Sequence, residues 1–199
     1  MSTTLLAIGL TGAALQLVLT GRAASDAGRQ PWPPEEVSGR FGLYWLLVMA
    51  MAGSFFGSLA TTAGSLYPVG IVSIIGGGAF LLGAAINVLT ADEFEGPEEI
   101  LGLEWHHHTD GPFRFSRNPE VLGHAGAVAG LAIAAGSWQA MVLAAVIVGW
   151  FAVRPFAEEP VLADRYGDRY ERYRSRVDRY LDRTRLSEAF GSCRNDCSG

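Results

Sequence analysis

Residues Pro68 to Ala91 read PVGIVSIIGGGAFLLGAAINVLTA, 24 positions without a charge. About 20 such residues, wound as a helix, cross the ~30 Å hydrocarbon core of a bilayer. The uncharged stretch extends backward to Phe41, so one run holds two crossings. Leu5 to Thr20 is also uncharged, and Leu122 to Val153 carries nothing ionisable except His124. Between these runs charges are dense. With 49% hydrophobic residues so segregated, the chain is not a typical soluble domain. The pattern predicts an all-α, polytopic bundle of about five spans, near 3–21, 41–64, 68–91, 120–135 and 138–154. Pro68 suits the first turn of the third helix, where its missing N–H costs nothing. The last two spans are short arms of a hairpin turned at Gly136-Ser137.

Fifteen arginines supply every basic charge, and lysine is absent. Arg22, Arg29 and Arg40 follow span one. Arg114 and Arg117 follow span three. Arg154 and all later arginines follow or close span five. Five spans put these segments on one side and leave the N-terminus and the two short turns, 65–67 and 136–137, on the other. By the positive-inside rule the arginine side is cytoplasmic and the N-terminus lies outside. The organisation expected is 1–91 as transmembrane helices, 92–186 as the functional region and 187–199 as a polar tail. The start lacks a basic n-region, so it is read as a retained span and not a signal peptide. The net charge of −5 and this distribution give no reason to expect nucleic acid as a partner.

Gly53 and Gly57, and Gly126 and Gly130, are four apart, a spacing that lets helices approach closely within one chain or across a homodimer. Gly76-Gly77-Gly78 follows no strand, so it is no nucleotide fingerprint, and it predicts a loosely packed or kinked helix. Beyond Pro160 a charged helix is expected. Leu162, Tyr166, Tyr170, Tyr173, Val177 and Tyr180 form one stripe among arginines. That stripe fits either a membrane interface or the protein's own loops. Cys193 and Cys197 are open to three readings: incidental thiols, a disulfide or part of a metal site.

Two polar segments bracket the hairpin. The first is Gly111-Pro112-Phe113-Arg114-Phe115-Ser116-Arg117-Asn118-Pro119-Glu120-Val121-Leu122-Gly123. The second starts Arg154-Pro155-Phe156-Ala157-Glu158-Glu159 and reaches Tyr166-Gly167-Asp168-Arg169-Tyr170. The hairpin returns the chain to its starting side, so Arg117-Asn118 should meet Glu158-Glu159. Arginines and paired carboxylates at a membrane face suit a polar, zwitterionic ligand. His106-His107-His108 raises a metal reading. Three consecutive ligands do not easily converge on one ion, and no acidic or cysteine partner stands at ligand spacing, so no metal is expected. The acidic loop from Asp92 to Glu104 is expected to cover the site.

The order G-P-[FY], R-[HN]-P, G, a short apolar hairpin, E-E and Y-G-x-x-Y resembles the isoprenylcysteine carboxyl methyltransferase and phospholipid methyltransferase superfamily. The likeness covers about Leu103 to Leu181. It implies an integral membrane methyltransferase using S-adenosylmethionine on a lipophilic acceptor drawn from the bilayer lipids. It implies cofactor contacts from Trp105, His106, His107, His108, Gly111, Phe113, Arg117, Asn118, Glu158 and Glu159, with the 105–109 stretch lining the pocket by its backbone. It places Arg117, Asn118 and Glu159 at the chemistry. Asn118 stands where the family often has His, and Val121 where it often has Tyr. Asn118 therefore supplies hydrogen bonds but no base. Pro160 after the glutamates is also atypical. Two other readings fit the same hairpin: a nicotinamide-dependent membrane reductase, and a non-catalytic protein of the same fold.

Overall fold

The computed structural model describes residues 2–25, 34, 36–101, 103, 106–182 and 184–187. Trp105, Arg29, Arg183, Cys193 and Cys197 lie outside the described residues. The helices are α1 (Ser2–Ser25), α2 (Gly39–Thr62), α3 (Ile71–Ala91), α4 (Pro97–Ile100), α5 (Pro119–Ala135), α6 (Trp138–Tyr166) and α7 (Asp168–Arg174). A 3-10 turn, Gly111–Arg114, precedes α5, and no strand occurs among the described residues. Four helices, α1, α2, α3 and α6, are long and apolar enough to cross a membrane, and α5 is a shorter apolar one. Its 17 residues span about 25 Å. The result is a polytopic helical bundle.

The core forms where α1, α2, α5 and α6 meet. Tyr44, Leu47, Met51, Phe55 and Ser58 recur at helical spacing along the buried face of α2. Tyr44, Met51 and Phe55 cluster with Leu143, Ile147, Trp150 and Phe151 of α6. Buried polar groups inside a span need internal partners. Gln16 Nε2 accordingly donates to the Tyr44 carbonyl at 3.1 Å, and Trp150 Nε1 to Thr20 Oγ1 at 3.1 Å.

The third helix behaves differently. Its fully buried positions are Gly76, Gly83 and Thr90, seven apart, which makes a narrow seam against α5. The seam is backbone on backbone. A Cβ on Gly83 would lie 2.6 Å from the Gly123 carbonyl oxygen, and one on Gly130 2.7 Å from that of Gly76. Of the triple glycine only Gly76 enters this close packing; nothing stands within 4 Å of a Cβ on Gly77 or Gly78, and the helix runs unbroken through all three. Gly126 and Gly130 pack within the chain, whereas nothing stands within 4 Å of a Cβ on Gly53. Gly83→Val is expected to destabilise the fold by about 3 kcal/mol or more through overpacking. Gly53→Val should be tolerated. Recovery of monodisperse protein and its thermal midpoint would check the pair.

The turns sort to one end as the charge pattern requires. Gly64 N donates to the Ala135 carbonyl and Leu66 N to that of Gly136, at 2.8 and 2.9 Å. Thr62 and Ser137 share a hydroxyl contact of 2.6 Å. Gly136 has φ +59°, a left-handed conformation that glycine adopts without strain. Leu5 touches the Gly57 position, so the start of α1 joins the same end. Among the described residues, Arg22, Arg40, Arg114, Arg117 and Arg154 lie toward the other ends of these helices.

Three expectations are corrected. Pro68 precedes the third helix, which starts at Ile71. The last span does not stop at 154; α6 continues through Pro155 and Pro160 to Tyr166. It ends at Gly167, φ +49°, so the expected helix from 162 to 180 is broken there. The hydrophobic stripe survives the break. Leu162, Ala163 and Tyr166 still cluster with Tyr170, Tyr173 and Val177. Its partners lie within the chain: Tyr173 Oη donates to the Phe113 carbonyl at 2.7 Å, and Tyr180 Oη to that of Ala152 at 2.6 Å.

Candidate functional site

The site starts from a tight entry into α5. Gly111 takes φ +50°, and the 3-10 turn follows. Ser116 Oγ accepts from Asn118 N at 3.0 Å, and Pro119 begins the helix. A second segment clamps this entry. Arg117 N donates to the Asp178 carbonyl at 3.0 Å and Asp182 N to that of Phe115 at 2.8 Å.

Glu158 and Glu159 are consecutive on a helix, so their side chains diverge by about 100°. They enter separate charge clusters. Glu159, 5% exposed, receives Arg117 Nη1 at 2.9 Å and Asn118 Nδ2 at 3.4 Å. It also receives Arg179 through Nε and Nη2, each at 2.9 Å. That is the planar fork geometry of a bidentate pair. The Arg179 guanidinium lies 4.0 Å from the Phe156 ring centre. Hydrogen bonding to Glu159 holds Arg179 above its ordinary pKa, and burial together with Glu159 pushes Tyr170 up to about 12. Glu158 instead pairs with Arg154, 2.9 Å from Nε and 2.7 Å from Nη2. Arg154 Nη2 reaches Glu120 at 3.2 Å.

The three histidines also divide. Residues 106–109 are neither helix nor strand, and His106 and His108 turn to one side, where Glu99 stands between them. His107 turns the other way, against Tyr166, Tyr170 and Tyr173 at ring distances of 5.0–5.6 Å. Burial, then Arg169, pushes His107 below its usual pKa. Phe113 packs on His108 at 5.3 Å.

Beside these clusters runs a cleft. One part, about 370 Å³, sets the polar and charged groups of Tyr44, Asn87, Glu99, Glu120, His124 and Arg154 among apolar side chains such as Trp45 and Phe94. An apolar part of about 240 Å³ lies among Met51, Phe55, Phe56, Phe80, Leu131 and Ile147. Val48, His124, Trp150 and Phe151 line both, so the two adjoin. His124 is anchored there by Nδ1 against the Glu120 carbonyl, 2.8 Å, and by stacking on Phe151 at 4.4 Å.

The structure thus joins Arg117, Asn118 and Glu159 and sets Glu158 apart with Arg154. The sequence reading missed three participants. Arg179 hid among evenly spaced arginines, and nothing in its neighbours sets it apart. Glu120 fell at a free position of the motif. Arg154, just before the first proline, carried a weak signal as a cation at the end of a long apolar run.

Fold and site together define a polytopic helical membrane protein with an arginine–carboxylate network beside a polar-to-apolar cleft. The chain matches the family model described as phospholipid methyltransferase over residues 69–169, just over half its length. It belongs to that family, within the wider group of membrane methyltransferases that includes the isoprenylcysteine carboxyl methyltransferases. Its general activity is methyl transfer. No curated protein and no solved structure matches the chain.

Proposed function

We propose that the chain transfers the methyl group of S-adenosylmethionine to a lipophilic acceptor that enters from the bilayer. The observation that carries this reading is the cleft formed by these two adjoining cavities. It offers a charged end to a headgroup and an apolar end to a chain. The acceptor classes it suits are a lipid amine, an isoprenoid-linked carboxylate and a thiol. Residues 92–186 supply the cofactor side, and α2 in the first 91 residues supplies one wall for the acceptor. The arginine-bearing end faces the cytoplasm and the N-terminus lies outside, as the positive-inside rule requires.

The residues fit the cofactor in part. Arg117 Nε is buried and makes no hydrogen bond, a donor suited to a carboxylate. Glu159 is already met by four donor atoms, so it acts by positioning Arg117 and Asn118. Side chains of His106 and His108 face Glu99, as does the His106 amide, which leaves their carbonyls for cofactor contact. Phe113 shapes the pocket wall. The bound cofactor would supply an electrophilic methyl on a sulfonium. The chain's contribution is alignment and exclusion of water around an in-line displacement.

The test is equilibrium binding of S-adenosylmethionine to detergent-solubilised protein, with NADPH as control. A Kd of about 10 µM or below is expected, in the range common for enzyme substrates. Arg117→Ala should weaken it at least tenfold while leaving the fold intact, because Arg179 still pairs Glu159. Labelled methyl transfer into fractionated lipid extract then identifies the acceptor. Binding of NADPH in place of S-adenosylmethionine would overturn the reading.

A further inference from the structure

We infer that Glu99, His106 and His108 form a binding site for one divalent cation of the zinc class. The carboxylate and one ring nitrogen from each histidine all lie within 4.8 Å of one another. A tetrahedral ion with bonds of about 2.0–2.2 Å holds its ligand atoms roughly 3.3–3.6 Å apart. His106 Nδ1 stands 3.4 Å from Glu99 Oε2, and His108 Nε2 stands 2.6 Å from Glu99 Oε1. A small contraction or expansion of this triangle accommodates the ion.

The sequence argument against a metal rested on three consecutive histidines and no acidic partner. Both premises change in three dimensions. In an extended segment, alternate side chains share a side. His106 and His108 therefore converge, and His107 is excluded among the tyrosines. Glu99, seven and nine residues back, supplies the carboxylate from α4.

His108 meets Glu99 at hydrogen-bond distance, whereas His106 approaches both Glu99 and Glu95 within ion-pair range without a hydrogen bond at Nδ1. His106 Nδ1 is buried, faces a carboxylate oxygen, and makes no hydrogen bond. Its Nε2 lies 3.8 Å from Glu95 Oε2. His106 thus presents Nε2 toward Glu95 and Nδ1 toward Glu99, and the 3.4 Å between Nδ1 and Glu99 Oε2 is the spacing of two ligand atoms on one tetrahedral ion. That is the carboxylate–histidine–metal arrangement. Backbone amides of Glu95 and His106 fix the Glu99 carboxylate at 3.0 and 3.3 Å. The Glu99 and His108 side chains are only 7% and 13% exposed, so the cluster is set into the protein.

Two imidazoles and one carboxylate suit zinc over calcium or magnesium, which prefer all-oxygen sets. Asp92, Glu93 and Glu98 in the same loop add negative charge that favours a cation. The role is structural. The His108 ring makes tilted contacts with both Phe94, at 5.6 Å, and Phe113, at 5.3 Å. An ion here would fasten the acidic loop onto the 3-10 turn that opens the cofactor motif.

The experiment uses the full chain, purified in detergent without a histidine tag and stripped by chelator. Zinc is titrated by calorimetry and counted by elemental analysis, with no cofactor present, so the result does not depend on methyl transfer. One ion per chain is expected. His106→Ala and His108→Ala should each weaken binding ~100-fold, and Glu95→Gln ~10-fold. His107→Ala and Cys193→Ser/Cys197→Ser should bind as the parent does. Zinc should raise the thermal midpoint of the parent and not of His106→Ala, the two metal-free proteins melting alike. Cobalt bound to the parent should give a tetrahedral visible spectrum without a thiolate charge-transfer band. No binding by the parent overturns the site. So does binding undiminished in both histidine variants, or binding lost with the cysteines.

Discussion

Glu159→Ala is expected to destabilise the protein more than any other single change at the site. Two guanidiniums converge on this carboxylate, and Arg117 is only 10% exposed. Truncation leaves that charge buried beside a void. Breaking a buried pair from one side costs about 3–5 kcal/mol. Arg179 is 25% exposed and can turn partly toward water, which places the cost near the lower end. At about 3 kcal/mol, the thermal midpoint of a chain this size should fall by roughly 6–12 °C. Glu159→Gln keeps an acceptor but loses the charge and one of two forked bonds, so its effect should be intermediate. Arg117→Ala should be mildest, because the Arg179 pair persists. Thermal shifts that decrease in the order Glu159→Ala, Glu159→Gln, Arg117→Ala are the expected measurement. A Glu159→Ala protein that melts with the parent would show that the network carries no stability.

That ranking bears on how a motif carries meaning. The adjacency of Glu158 and Glu159 suggests one ligand for both carboxylates. The helix separates them: Glu158 is claimed by Arg154, and Glu159 by Arg117 together with Arg179, which no local pattern marks. Arg154 belongs to the same helix, four residues before Glu158, a spacing that a helical reading through Pro155 would have found. Ending the span at Pro155 hid it. Arg179 comes from beyond Gly167, on a segment whose periodicity implied continuous helix. There a single glycine with positive φ overrode the pattern. Legible in advance were the features set by composition along the chain: the long apolar runs, the hairpin, and the two arginine-free turns that meet at one end. The pairing of α3 with α5 was legible only as glycine spacing, because a seam without side chains leaves no hydrophobic signature.

The cleft yields the second large effect. Ala52→Trp should abolish transfer to a lipophilic acceptor and spare cofactor binding. Ala52 lies on α2 and lines the apolar part, facing α5 and α6 across it. It is half-buried, so an indole there fills open cleft before it meets packed core. The site is distant in sequence from the Arg117–Glu159 network, and α2 contributes nothing to that network's hydrogen bonds. S-adenosylmethionine affinity should therefore stay within about twofold of the parent, while kcat/KM for a long-chain acceptor falls at least ~100-fold, close to 3 kcal/mol of lost transition-state binding. A short-chain acceptor of the same headgroup should lose much less, since its tail ends before the obstruction. That contrast separates a blocked channel from a damaged fold, which would lower both rates alike. Equal activity of Ala52→Trp on long and short acceptors would show that the apolar chain lies elsewhere, along the exposed face of α3.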